Sequence, residues 1–186
     1  MSILKPAAAL VLAVLALAVM QRTAPGYADI TRPITVSGKL GERLTGRQFD
    51  IRVESVRLGR DLVYEAYGRR QTLTTNGVWA LLEVSAEATT ESVSIIAASW
   101  RAPNGARYVA SKRPSTYPGM LSLQRLEPGL PKRGFILFEL PRDQLAGGTV
   151  LIARTEFAPL DTEFAFHMDG IDTLPLQGEL VLTADD

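Results

Sequence analysis

The chain has 186 residues, 20 Lys and Arg against 20 Asp and Glu, 46% hydrophobic residues and no cysteine. Balanced charge removes any global reason to expect nucleic acid as a partner. The missing cysteines exclude disulfides, thiolate metal sites, thiol redox chemistry and a lipidated cysteine near the start.

Met1-Ser-Ile-Leu-Lys5 leads into an apolar run from Pro6 to Met20, closed by Gln21 and Arg22 and followed by Thr23-Ala-Pro-Gly-Tyr-Ala28. This pattern predicts a helix that exports or anchors the rest. Residues 6–21 reach about 24 Å at ~1.5 Å per residue. That is short for a ~30 Å hydrocarbon core, but Lys5 and Arg22 are placed to snorkel toward the headgroups. Arg22 directly after the run, with the small-residue site Gly26-Tyr27-Ala28 beyond it, favours an uncleaved signal-anchor. The expectation is a single-pass protein of the cytoplasmic membrane, held through residues 6–21, with its C-terminal domain outside the cytoplasm. The alternative is cleavage before Asp29 and secretion. Residues 1–28 then form the leader and the start of a tether, residues 29–35 its remainder, and residues 36–186 one domain.

Without the leader, 18 basic and 20 acidic residues remain, a net charge of −2. The charge is unevenly placed. Residues 101–133 carry seven basic residues and one acid, Glu127, whereas residues 134–186 carry two basic residues and ten acids. The basic segment is either a contact patch or a solvated loop neutralised by neighbouring strands.

Beyond the tether the pattern is β throughout. Phe49, Ile51 and Val53 alternate with polar residues, and the phase then shifts to Val56 and Leu58, which predicts a bulge. Asn76-Gly77 reads as a hairpin turn, followed by the alternating strand Val78, Ala80, Leu82, Val84, Ala86. Ser92–Trp100 reads as the next strand, Pro103-Asn104-Gly105 as a turn and Arg107-Tyr-Val109 as its return. A loop over Pro114–Gly119 and a short strand over Met120–Leu123 come next. The connector Glu127-Pro-Gly-Leu-Pro131 then leads into Phe135-Ile-Leu-Phe138. Four apolar residues in a row fit a strand covered on both faces. One helical turn over Arg142–Leu145 and strands at Thr149–Ala153, Glu163–His167 and Glu179–Thr183 complete an immunoglobulin-like β-sandwich of seven to nine strands behind an N-terminal hydrophobic helix.

Three segments in this order resemble one family. They are Gly77-Val-Trp-Ala-Leu-Leu-Glu-Val84, Trp100-Arg-Ala-Pro-Asn-Gly-Ala-Arg-Tyr108, and Leu126-Glu-Pro-Gly129 followed by Phe135-Ile-Leu-Phe-Glu-Leu-Pro141. The family is that of bacterial membrane-anchored or secreted immunoglobulin-like domains of unknown function, similar in fold to the immunoprotective secreted antigen of mycobacteria. The resemblance covers about residues 36–155, and the stretch after Phe157 departs from it. It implies a fold and an envelope location. It carries no catalytic residues to transfer.

The residues themselves offer no catalytic constellation. His167 is the single histidine, and no Gly-x-Ser-x-Gly elbow is present. His167-Met168 with Met120 has the ligand types for copper, but adjacent strand residues point to opposite faces. Asp161-Thr-Glu163 and Asp169-Gly-Ile-Asp172 offer oxygen ligands in a spacing that matches no calcium loop. Trp79, Trp100, Tyr108 and Tyr117 make either an aromatic surface or core. The expectation is therefore a protein without catalytic, cofactor or metal residues. It would act by contact with an envelope or membrane protein through Arg101, Arg107, Tyr108, Lys112, Arg113 and Tyr117, residue types enriched at hot spots. The alternative is a binding module for a small apolar or glycan ligand.

Overall fold

The computed structural model describes residues 4–24, 26, 31–114 and 117–182. The chain divides into two compact units, Met1–Arg32 and Pro33–Asp186.

The first unit holds one helix, α1 (Leu4–Thr23). Pro6 stands in its first turn, where a missing N–H costs nothing, and Arg22 lies in its last turn, complementing the helix dipole. The Thr23 hydroxyl donates to the Val19 carbonyl at 2.9 Å. The stretch Pro6–Thr23 is long and apolar enough to cross a membrane, about 27 Å at ~1.5 Å per residue. A signal sequence near the N-terminus has the same character.

The second unit is a two-sheet sandwich. Its strands are β1 (Ile34–Lys39), β2 (Arg43–Thr45), β3 (Phe49–Ala66), β4 (Arg69–Ala88), β5 (Ala97–Arg101), β6 (Arg107–Val109), β7 (Lys132–Leu140), β8 (Thr149–Ala153), β9 (Thr162–His167) and β10 (Leu176–Val181). The first sheet has the order β1-β9-β8-β5-β6, the second β10-β3-β4-β7, with β2 beside the start of β3. Two pairs are parallel, β1 with β9 and β10 with β3. The rest are antiparallel. Across the outer face of the second sheet, Arg43 bridges Asp50 and Glu87, each at 3.0 Å. Bonding first to Asp50, then to Glu87, raises its pKa further.

The main core lies between the sheets. Trp100 meets Phe138 edge-on at 5.9 Å, and Phe49 meets Phe164 at 5.0 Å. Trp100 donates its indole N–H to the Gln144 carbonyl at 3.2 Å, so a buried polar tip is satisfied. A second core covers the outer face of the second sheet. Leu62, Trp79, Leu81, Phe135, Leu137, Leu180 and Leu182 pack there under Tyr117 and Met120. This layer explains the uninterrupted apolar run. Phe135 and Leu137 face the outer core, Ile136 and Phe138 the inner one, and all four are buried.

The expected phase shift in β3 is a bulge between Val53 and Ser55. Three local readings are corrected. Asn76-Gly77 is not a turn; it lies inside β4, where the residues between Thr74 and Trp79 have no partner on β3 opposite the step from Asp61 to Gly59. A Cβ on Gly77 would strike the Leu140 carbonyl, so the glycine serves close approach of β7. The hairpin turn is instead Tyr67-Gly68. Ser92–Trp100 is strand only from Ala97, because Val93 is spent on a bridge to Leu126. Met120 bridges Phe135, but Leu121–Leu123 is a 3-10 turn rather than strand. The expected helical turn at Arg142–Leu145 is present as a 3-10 turn, Arg142–Gln144. Strand β10 begins at Leu176 and ends at Val181, and Thr183 lies outside the described residues.

Candidate functional site

The six residues expected to form one contact surface divide among four environments. Arg101 and Arg107 are paired across β5 and β6 on the outer face of the first sheet. Arg107 is held there, with Nε donating to Ser99 Oγ at 2.9 Å and its guanidinium 3.5 Å from Glu163. Tyr108 points the other way and packs on the main core. After β6 the chain crosses from the first sheet to the second, with the Ser111 N–H donating to the Leu137 carbonyl at 2.7 Å. Lys112 stays exposed. Arg113 folds back onto the second sheet. Its guanidinium carbon lies 5.2 Å from the Trp79 ring centroid, and Nη1 donates to Glu139 and to the Thr74 carbonyl at 3.0 and 3.1 Å. Tyr117 is buried against Phe135 at 5.7 Å and edge-on to Tyr64 at 6.0 Å. Arg113 and Tyr117 thus close the second core. Both tryptophans are wholly buried.

The other singled-out groups divide between solvent and structure. His167 is exposed while Met168 is buried, as alternation requires. Asp161 pairs with Arg47 at 3.2 Å, and Glu163 with Arg107. Among the described residues no three His, Asp or Glu side chains converge.

Concave surface separates the remaining possibilities. The space under Ile95, Ala110 and Leu121 holds only about 30 Å³, enough for a water and no more. A shallow groove of about 200 Å³ on the first sheet is floored by Ala97, Ser99, Leu151 and Ala153 and flanked by Arg107 and Glu163. A wider hollow among the described residues, about 770 Å³, lies at the β3–β4 hairpin. Tyr64, Tyr67, Tyr117 and Pro118 line it with Glu65, Arg70 and the edge residues Val181 and Leu182. Arg70 is braced by Glu179 at 2.6 Å.

The tip of that hairpin is chemically unusual. Ala66 pairs with Arg69, leaving a two-residue turn with φ of 55° at Tyr67 and 68° at Gly68. Such a turn favours Asn-Gly, because both central residues need φ > 0. A tyrosine there carries a steric cost of roughly 1–2 kcal/mol, and Tyr67 is 91% exposed. Strain of this kind, outside the core, makes the position a candidate for a role of its side chain. Sequence reasoning missed Tyr64, Tyr67 and Arg70. The available signal was the alternation of Leu62, Tyr64 and Ala66 around Gly68, masked by the stronger turn dipeptide at Asn76-Gly77.

These sheets define an immunoglobulin-like β-sandwich preceded by an apolar helix. The sandwich is similar to a secreted protein of Mycobacterium tuberculosis, MPT63. That match has 17% identity and a TM-score of 0.52 and covers 73% of this chain and 98% of that one. It is also similar to the yjhA protein of Bacillus subtilis, at 17% identity over 70% of this chain and 99% of that one, with a TM-score of 0.52. At these identities the likeness is one of fold. No protein-family model and no curated protein matches the sequence.

Proposed function

We propose that this protein is a non-catalytic contact module of the cell envelope. In this reading α1 remains attached as a signal-anchor, the sandwich stands outside the cytoplasm, and the β3–β4 hairpin engages an envelope or membrane protein. The chain then takes its place among the bacterial immunoglobulin-like domains that its sequence resembles. The observation that carries the proposal is Tyr67: an exposed aromatic ring kept at a left-handed turn position beside Tyr64 and Arg70. Tyr and Arg supply large contact area and directional bonds at interfaces. The same hollow favours a second reading, a glycan or small apolar ligand seated among three tyrosines, since its volume lies within the usual ligand range of about 300–1,000 Å³.

In-cell photocrosslinking tests it, with a photoreactive phenylalanine placed at position 67 or at position 101. Specific protein adducts are expected from 67 and few from 101. Adducts from 101 alone would move the contact to the first sheet. With no adduct from either site, retention of a sugar or lipid by the purified protein would favour the ligand reading. Intact mass of the protein from cells tests the anchor: a product starting at Asp29 overturns it.

A further inference from the structure

Among the described residues of the sandwich, ten large apolar side chains are exposed. Five of them sit at one end: Ile34, Ile96, Leu130, Phe157 and Leu160, at 60, 50, 60, 72 and 58% exposure. Ile34 opens β1 and donates its N–H to the Asp161 carbonyl at 2.8 Å, which sets it against the loop that carries Phe157 and Leu160. Ile96 bonds the Arg154 carbonyl just before that loop. Leu130 lies in the turn next to Pro128, which bridges the end of β4 at Ala88. Leu160 keeps φ at 55°, a left-handed conformation that a branched residue rarely adopts, so the loop holds its apolar tip outward under strain.

Charge at this end is of both signs and largely paired. Arg47 pairs with Asp161, Arg125 with Glu127 at 3.3 Å, and Ser92 donates to Glu127. Glu91 and Glu156 face solvent. Such a surface gains little from anionic headgroups and much from burying its apolar tips.

It is also the end where the chain enters. Ten residues, 24–33, join Thr23 to Ile34 and span at most ~40 Å. The hairpin β3–β4 alone is about 60 Å long, from 18 residues at ~3.3 Å each. If α1 spans the bilayer, a tether of that reach is too short for the sandwich to stand upright on its Tyr67 end.

We infer that this end of the sandwich rests on the bilayer, with Phe157 and Leu160 inserted at the headgroup–acyl boundary beside Ile34. The inference rests on the anchored reading proposed above. The occupant is the lipid interface itself, recognised through apolar burial.

The absence of cysteine makes the test clean. The full chain is reconstituted in phosphatidylcholine vesicles with one environment-sensitive fluorophore, on Glu156→Cys, Gln71→Cys or Val14→Cys. Nitroxide-labelled lipid then quenches each probe according to its depth. The probe at 14 reports the anchor and the probe at 71 the remote hairpin. Quenching at 156 at least twofold above that at 71 is expected. Adding Phe157→Ser and Leu160→Ser, both exposed positions, should return it to the level at 71. Quenching at 14 with equal, low quenching at 156 and 71 overturns the docking and leaves the anchor standing. An unquenched probe at 14 overturns the anchor. The docking then survives only if 156 is still quenched and the double serine variant abolishes it; otherwise it falls as well.

Discussion

On β4, Leu81 and Leu82 are neighbours, both are fully buried, and they face different cores. On β9 in the other sheet, Phe164 and Phe166 turn inward while Glu163 and His167 meet Arg107 and solvent. Around Leu81, Leu137 and Leu180 the second sheet carries an apolar cover on its outer face, which the described residues do not build on the first sheet. The cover is laid by Tyr117 and Met120 of the segment after β6, with Arg113 over the Trp79 ring. A strand so enclosed needs apolar residues at every position, whereas a half-covered strand keeps its period of two. The contrast shows that a connector rich in basic residues, which reads as solvated surface, also lays down the roof of a second core.

Truncations on the two sides of this sheet test whether the roof is equal to the main core. Phe138→Ala removes the ring that meets Trp100 between the sheets and should cost ~3–5 kcal/mol. Denaturant unfolding measures it, and a loss under about 1 kcal/mol would contradict the inner packing. Leu81→Ala should cost ~2–5 kcal/mol, close to Leu82→Ala measured in parallel. A cost for Leu81 well below that for Leu82 would show that the outer layer is loose. Arg113→Ala removes the stacking on Trp79 and the bond to Glu139. Because Arg113 is 43% exposed, solvent screening holds the expected loss to about 1 kcal/mol or less. Its sign matters more than its size, since a surface arginine with no roofing role would leave stability unchanged. The smallest expected effect is that of Tyr67→Gly. Glycine relieves the left-handed strain but adds freedom to the unfolded chain, so stability should stay within about 1 kcal/mol. Crosslinking to the partner, scored with the photoreactive residue at position 65, should fall sharply in the same variant.

The fold was legible where burial writes itself into periodicity. The apolar leader, the slip of phase after Val53 and the run Phe135–Phe138 each have one physical cause, and each appears as expected. The hairpin was hidden because Tyr67-Gly68 violates the preference that identifies such turns. Asn76-Gly77 satisfies that preference but is claimed by the close approach of Leu140. Ser92–Ile96 carries strand composition, yet its pairing groups go to Leu126 and Arg154. The residues Arg101, Arg107, Tyr108, Lys112, Arg113 and Tyr117 stand apart for a related reason. Neighbours along a chain that passes from one sheet to the other end up facing four different surroundings. The tyrosine-lined hollow depends on contacts between residues 64, 67, 117 and 181, which no local pattern announces.

The parallel edge strands also set an order of events. Strand β1 finds its partner only when Thr162–His167 has been made, and the edge of β3 at Leu58–Val63 stays open until β10 arrives. Both sheets therefore remain incomplete through most of synthesis, with long loops to close before either pairing is rewarded. Folding should be slow, on the millisecond-to-second scale typical of non-local β topologies. Until Leu176–Val181 docks, the open edge of β3 is the place where a nascent copy is most exposed to pairing with another chain.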